Sequence, residues 1–116
     1  MTIADIQTIC HKLAGVTGDI KLGDHLCFNV GGKTFLFTYP DSLPVTASFK
    51  VPDEDFEEII TTRAGITPQQ YIARYKWVHV DDINRLSKKE WEFYLKQSHG
   101  LIAAKLSTKV RKGLGL

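Results

Sequence analysis

The sequence predicts an α+β fold in which helices pack on one face of an antiparallel sheet. Segments with the two-residue period of strands fall mostly within one block, residues 24–51. Apolar residues recur at the spacing of a helix before that block, in residues 2–13, and again after Ser87. Strands grouped in one block argue against a parallel βαβ sheet, and the predicted order of elements is α-β-β-β-α-β-α.

The first half of the chain is predicted to form one helix and a three-stranded antiparallel meander. Thr2 and Asp5 match a capping box at the start of the helix. Gly31-Gly32 lies between the first two strands and is a hairpin signal, because both turn positions favour positive φ. Polar residues of the third strand should face away from the core, which leaves the sheet open on that side. The residues predicted to face the core are Leu26, Phe28 and Val30, then Phe35, Phe37 and Tyr39, then Val45, Ala47, Phe49 and Val51.

The second half of the chain is predicted to form two longer helices around a strand. Asp53 is the expected cap of one helix, and Ser87 with Glu90 matches a capping box for the other. Residues 67–73 begin with Thr-Pro, which is typical of a short helical start. Residues 75–80 have the two-residue period of a strand, with Val78 and Val80 predicted to face one way and Trp77 and His79 the other.

Length and composition fit one domain that spans residues 1–116. A hydrophobic content of 43% and a charged content of 24% are ordinary for a globular protein. No apolar run approaches the roughly 18 residues that cross a bilayer, and the N-terminus lacks the features of a signal peptide. We therefore expect a cytoplasmic protein with no membrane association. Cys10 and Cys27 are too few for a disulfide framework and should be reduced and buried.

Charge is unevenly distributed along the chain, although the net charge is only +2. Residues 1–58 contain four basic and nine acidic side chains, whereas residues 59–116 contain eleven basic and four acidic ones. Such asymmetry can mark an anionic partner. The alternative is that charges fall unevenly along any short chain without meeting in space. Five of the acids form one cluster, Asp53, Glu54, Asp55, Glu57 and Glu58.

No motif in the sequence predicts catalysis, a cofactor or a metal site. Adjacent helix residues point in different directions, so Cys10-His11 is not a nucleophile–base pair. Asp24 and Cys27 would point to opposite faces of a strand, and His79 with Asp81 offers only half of a zinc site. We therefore expect a protein that is not an enzyme and that holds no metal or cofactor.

Basic and aromatic side chains alternate in Arg74-Tyr75-Lys76-Trp77, and this pattern indicates nucleic-acid binding. Cations neutralise phosphates, while aromatic rings stack on exposed bases. The alternative for Trp77 is packing within the sheet, where Trp residues of strands commonly lie. The candidate nucleic-acid-binding residues are Lys33, Lys50, Arg74, Lys76, Trp77, Lys109, Arg111 and Lys112.

Six segments of the chain, in this order and spacing, carry a resemblance to a known family. They are Leu13-Ala14-Gly15-Val16-Thr17, Phe28-Asn29-Val30-Gly31-Gly32-Lys33-Thr34-Phe35, Ser48-Phe49-Lys50-Val51, Arg74-Tyr75-Lys76-Trp77-Val78, residues 98–106 and Lys109-Val110-Arg111-Lys112. Through them the sequence resembles the MmcQ/YjbR family of small bacterial proteins over nearly its whole length. The resemblance implies a CyaY-like (frataxin-like) two-layer sandwich, and DNA binding through a "double wing" of strand hairpins. Ser107 stands where members of the family often carry Pro, which leaves the start of the terminal turn open.

The leading hypothesis is a DNA-binding protein with weak, salt-dependent contacts through a basic strand face, and two other functions stay open. A protein-interaction module would dock a partner on the acidic segment 53–58 or on the open sheet face. A small-molecule binder would need a concave apolar pocket, which a sequence does not show. If DNA is the partner, the acidic segment 53–58 should face away from it.

Overall fold

The computed structural model describes residues 1–17 and 23–116 with their side chains and residues 18–22 by their backbone. The helices are α1 (Ile3–His11), α2 (Asp53–Thr62), α3 (Lys88–Ala103) and α4 (Thr108–Gly113). The strands are β1 (Val16–Leu22), β2 (His25–Val30), β3 (Lys33–Tyr39), β4 (Thr46–Lys50), β5 (Ile66–Pro68) and β6 (Trp77–Val80). Short 3-10 turns lie at Ala73–Tyr75 and Ile83–Arg85. The predicted α+β class is confirmed.

All six strands form one antiparallel sheet in the order β1-β2-β3-β4-β6-β5. The sequence predicts the four inner strands but neither edge strand. Gly18-Asp19 interrupts the apolar pattern of β1 with residues that are rare in strands. β5 has only three residues and includes Pro68, which an edge strand tolerates because one of its sides has no neighbour. The short helix predicted at 67–73 is therefore wrong, since its first two residues belong to β5.

Helices α1, α2 and α3 pack side by side on one face of the sheet. α3 lies over the sheet centre, where the buried ring of Trp91 contacts Phe49 of β4 edge-to-face at 5.6 Å between centroids. Helices α1 and α2 flank α3. At the end of α2, the Arg63 guanidinium donates from Nη2 to Glu90 Oε2 of α3 at 2.7 Å, and this ion pair joins the two helices. This is the predicted two-layer arrangement, and both cysteines are buried as predicted. Within the described residues, no helix is both long and apolar enough to cross a bilayer.

Local side-chain chemistry sets most of the helix starts. Thr2 and Ser87 each form the predicted capping box, with Asp5 and Glu90 respectively. Ser107 accepts a hydrogen bond from the Val110 amide and caps α4. Helix α2 is present, but the prediction that Asp53 caps it is wrong. Its N-cap is Pro52, which makes no side-chain hydrogen bond. Asp53 instead lies in the first turn, where a carboxylate favours the positive end of the helix dipole.

Strands β3 and β4 separate near one end of the sheet, and Ser98 of α3 lies in the gap. Their pairing ends at Leu36 opposite Phe49, although Phe35 and Lys50 are the next pair in register. The Ser98 hydroxyl donates to the Phe35 carbonyl at 2.6 Å and accepts from the Lys50 amide at 3.0 Å. A buried side chain thus replaces the missing bond between strands and holds α3 to the sheet.

The β2–β3 hairpin rests on the C-terminal end of the α3 region. Gly31 and Gly32 both have positive φ, 57° and 78°, as the predicted two-residue turn requires. A Cβ atom at Gly31 would lie only 2.6 Å from Leu106 Cδ1, so the glycine also permits close packing. This contact places the hairpin beside the last turn of α3 and the start of α4.

Candidate functional site

The sheet face opposite the helices, here called the open face, carries a cluster of aromatic rings. Phe37 of β3 and Trp77 of β6 are nearly parallel, with centroids 5.6 Å apart and 24° between the planes. Tyr39 lies 6.2 Å from Phe37 and 5.5 Å from His25 of β2. Phe37, Tyr39 and His25 are half-buried, whereas Trp77 is only 8% exposed. These four residues form the aromatic cluster, in which Trp77 is packed and the other rings reach solvent.

Two neighbouring hollows indent the open face, and both are lined by Tyr39. The first measures about 460 Å³ and contains the aromatic cluster. The second measures about 360 Å³ and is polar, with two glutamine side chains and one imidazole. The first is lined by His25, Cys27, Thr34, Phe37, Tyr39, Ile72 and Trp77, and the second by Tyr39, Thr67, Pro68, Gln69, Gln70 and His79.

The segment 69–76 crosses part of the open face and is here called the crossing loop. Its first residue, Gln69, donates its backbone amide to the Trp77 carbonyl at 2.9 Å. Tyr71 and Lys76 have φ of 70° and 66°, a conformation that residues other than glycine adopt at an energetic cost. Tyr71 is 88% exposed, and Arg74 lies 4.8 Å over the Tyr75 ring. The crossing loop thus holds aromatic and cationic groups at the surface in a strained backbone.

Lys50 lies on the open-face side of β4, as predicted, but the crossing loop covers it. The residue is 8% exposed, and its ammonium donates to the Tyr75 carbonyl. Desolvation lowers the pKa of Lys50, the cations Lys105 and Lys76 lower it further, and Asp53 opposes them. Lys50 therefore fixes the crossing loop rather than presenting a charge to solvent.

His79 lies in the polar hollow within a small hydrogen-bond network. Ser48 donates its hydroxyl to Gln69 Oε1 at 2.6 Å, so the His79 Nδ1 at 3.1 Å serves as a donor to Ser48 Oγ. Burial lowers the pKa of His79, and the carboxylate of Asp81 opposes that shift. A neutral imidazole in this network therefore leaves Nε2 as a hydrogen-bond acceptor.

Protonation of His79 is expected to reduce the stability of the fold. Because its pKa is lower in the folded than in the unfolded chain, the unfolded chain binds the proton first as the pH falls. The free energy of unfolding should therefore decrease as the pH drops from about 6.5 towards the lower folded value. Urea unfolding between about pH 5.5 and 7.5 measures this change. A His79→Gln variant with the same pH dependence as the wild type would show that other groups cause it.

Basic residues from four segments lie towards the end of the sheet where the β2–β3 hairpin lies. Lys33 begins β3, and the start of β3 lies beside the end of β4. Lys50 is the last residue of β4 and is opposite Trp77, the residue that follows the crossing loop. Gly31 packs against Leu106, which brings the end of α3 and the start of α4 to the same end. We call this region the basic end. Its cations that are exposed or half-buried are Lys33, Arg74, Lys76, Lys105, Lys109, Arg111 and Lys112.

A third hollow, of about 550 Å³, lies at the basic end and is lined by both basic and acidic side chains. Lys50, Arg74 and Lys105 line it together with Asp53 and Glu54 from the first turn of α2. That the acidic segment 53–58 faces away from any bound DNA stays a prediction, although its first turn lies beside cations of the basic end. These two acids moderate the positive field of the basic end.

Comparison with known proteins supports the resemblance seen in the sequence. The family model described as YjbR matches residues 11–101, which is most of the chain. The chain belongs to the YjbR family. No curated protein matches the sequence. Among solved structures, this YjbR-family chain is similar to protein DR2400 of Deinococcus radiodurans, a DUF419-domain protein, at a TM-score of 0.87 and 24% identity. The alignment covers 99% of this chain and 88% of that one, and at this identity it shows the fold.

Sequence reasoning missed two central residues of the site in this YjbR-family protein. Phe37 and Tyr39 were expected to face the core but lie on the open face. A register shift between Phe28 and Asn29 adds one residue to β3, so Phe35 and Leu36 are both buried and the alternation changes phase. The run Phe-Leu-Phe at 35–37 is the available signal, because three consecutive apolar residues leave the phase of a strand undefined.

Lys105 and Gln69 are further site residues that the sequence did not indicate, because topology alone brings them to the hollows. Among the side chains that the structure describes, no group of three or more His, Cys, Asp or Glu residues could hold a metal ion. His25 Nδ1 does lie 3.4 Å from Asp24 Oδ1, which makes a pair and not a cluster.

Proposed function

We propose that this protein binds nucleic acid through the basic end, with weak and salt-dependent affinity. The observation that carries the proposal is that Arg74 of the crossing loop and Lys105 after α3 line one hollow, while the hairpin and the start of α4 place further cations at the same end of the sheet. Positive charge segregated in sequence would mean little without such convergence in space. Lys and Arg side chains that neutralise phosphates release condensed counterions, and that release drives non-specific binding.

The exposed cations have the chemistry of phosphate contacts, while Lys50 has a positioning role. Lys33, Arg74 and Lys105 present long, flexible or planar donors from three different elements. The buried ammonium of Lys50 holds the Tyr75 carbonyl and so positions the neighbouring Arg74. Asp53 and Glu54 lie beside these cations and weaken the attraction, which fits weak binding. Phosphate contacts of this kind set position and affinity but do not distinguish sequences.

Charge reversal at the basic end is expected to weaken binding about equally for all sequences. The test variant is Lys33→Glu with Arg74→Glu, and it should reduce the salt slope of binding by about two. Fluorescence anisotropy of a labelled oligonucleotide, titrated at several salt concentrations, measures both affinity and slope.

The matched control for this variant is Lys88→Glu with Lys89→Glu. These lysines are exposed at the N-terminal end of α3, roughly 24 Å along a 16-residue helix from its other end. The control makes the same change in net charge and should bind like the wild type. Equal loss of binding in both variants would contradict a role for the basic end and would point to net charge alone.

The second candidate function is docking of a basic protein partner on α2. Four acids of that helix are exposed, and the 60% exposed ring of Phe93 lies beside Asp55 and Glu58 at a hollow of about 190 Å³. Aromatic groups within a charged rim are typical of interface anchors. A partner protein that is lost on charge reversal of Glu54 and Glu57, with no nucleic-acid binding by the wild type, would favour this function.

A further inference from the structure

The aromatic cluster adjoins the basic end, and we infer that the open face binds the unpaired bases of a single-stranded nucleic acid. This inference rests on the proposed function and names its substrate class. Proteins that bind single strands combine a cationic path for the backbone with aromatic rings on which bases stack. Both parts are present here, because Thr34 and Ile72 of the aromatic hollow lie within two residues of the cations Lys33 and Arg74.

The half-buried rings supply the stacking surface. Phe37 is held nearly parallel to the buried Trp77 at 5.6 Å, so its position is fixed before any ligand arrives. Tyr39 lies at an angle of 84° to Phe37 and forms the wall between the two hollows. A fixed ring loses little conformational freedom when a base stacks on it.

The polar hollow supplies hydrogen-bonding groups next to the stacking surface. Gln69, Gln70 and His79 line it, and amide and imidazole groups can pair with the edge of a base. Within a duplex these edges are already paired and the base faces are covered by stacking. Tyr39 lines both hollows, so two neighbouring bases of one strand could occupy them together.

Charge sets the direction in which the backbone of the strand would leave the open face. Thr34 and Ile72 line the aromatic hollow, and each is close in sequence to a cation of the basic end, Lys33 and Arg74 respectively. On the far side His25 has Asp24 beside it, an 82% exposed carboxylate that repels phosphate. The strand should therefore pass from the aromatic hollow towards the basic end.

The experiment compares ligands with the same phosphates but different access to bases. Labelled oligonucleotides of about 15 nucleotides suit one small domain: oligo-dT, oligo-rU, an abasic strand of equal length, and a duplex. We expect oligo-dT or oligo-rU to bind more tightly than the abasic strand and the duplex. The two base-bearing strands together report whether the sugar matters.

The test variant is Phe37→Leu with Tyr39→Leu, which keeps apolar volume and removes the rings. Its affinity for the single strands should fall between about fivefold and a hundredfold, while its binding to the abasic strand and duplex stays unchanged. The control Phe93→Leu removes an exposed ring on the helix side and should leave all four affinities unchanged. Tyr39→Leu alone serves if the double variant does not fold.

Two results would overturn the inference, and they differ from failure of the proposed function. If the abasic strand and duplex bind as tightly as oligo-dT and oligo-rU, or if the ring variants bind normally, the basic end acts alone and the inference is wrong. If no ligand binds even at low salt, the proposed function fails and the inference fails with it.

Discussion

Replacement of Trp91 by alanine is expected to reduce the free energy of unfolding by about 3–5 kcal/mol. The indole is fully buried between α3 and the sheet, contacts Phe49, and donates from Nε1 to the Ile83 carbonyl at 2.8 Å. Alanine leaves both a cavity and a buried carbonyl without its donor. Domains of this size commonly have about 5–15 kcal/mol of stability in total, so the loss is a large fraction.

Two further variants separate the causes of that loss. Trp91→Phe keeps most of the apolar contact with Phe49 and removes the bond to Ile83, so it should be intermediate. Phe93→Ala, an exposed aromatic residue two positions along the same helix, should change stability by less than about 0.5 kcal/mol. Urea unfolding followed by circular dichroism measures all three. A Trp91→Ala variant no less stable than Phe93→Ala would contradict this packing.

Replacement of Ser98 by alanine is expected to cost about 2 kcal/mol or more, although it removes one oxygen atom. The hydroxyl donates to the Phe35 carbonyl and accepts from the Lys50 amide, and the Ser98 side chain is fully buried. Alanine leaves a donor and an acceptor unsatisfied at the point where β3 and β4 separate. Because Lys50 holds the crossing loop, this loss should also loosen the basic end.

The control for Ser98 is Lys96→Ala, an exposed position in the same helix where alanine is a good helix former. Its stability should be equal to or slightly above that of the wild type. Hydrogen exchange of the Lys50 amide gives a second readout, since that proton loses its acceptor in Ser98→Ala. Unchanged protection of this amide would show that the strands close the gap without Ser98.

Features set by short-range chemistry could be predicted from the sequence. The capping boxes at Thr2 and Ser87 depend on a partner three residues away, and the Gly31-Gly32 turn depends on two adjacent residues. These signals do not require knowledge of the rest of the fold. The inner strands were found for the same reason, because each carries its own alternation.

Features set by pairing between distant segments could not be predicted in this way. The bulge that turns Phe37 and Tyr39 to the open face arises from the register of β2 against β3. The burial of Lys50 depends on a loop that follows it by about twenty residues. Each of these residues has a sequence environment compatible with either face of a strand.

The placement of the cations at one end of the sheet could not be predicted from the sequence either. Lys33, Arg74 and Lys109 are far apart in sequence, and only the strand order and the packing of Gly31 on Leu106 bring them to one end. The same topology places Asp53 and Glu54 beside Arg74 and Lys105, a mixture of charges that the sequence did not indicate.

The most direct test of nucleic-acid binding is the salt dependence of the wild-type protein on labelled oligo-dT. With roughly three to five phosphates neutralised, log K should fall linearly with log salt concentration, with a slope of about −2 to −4. That result would support phosphate neutralisation at the basic end. An absence of binding at low salt, or an affinity that does not change with salt, would contradict it.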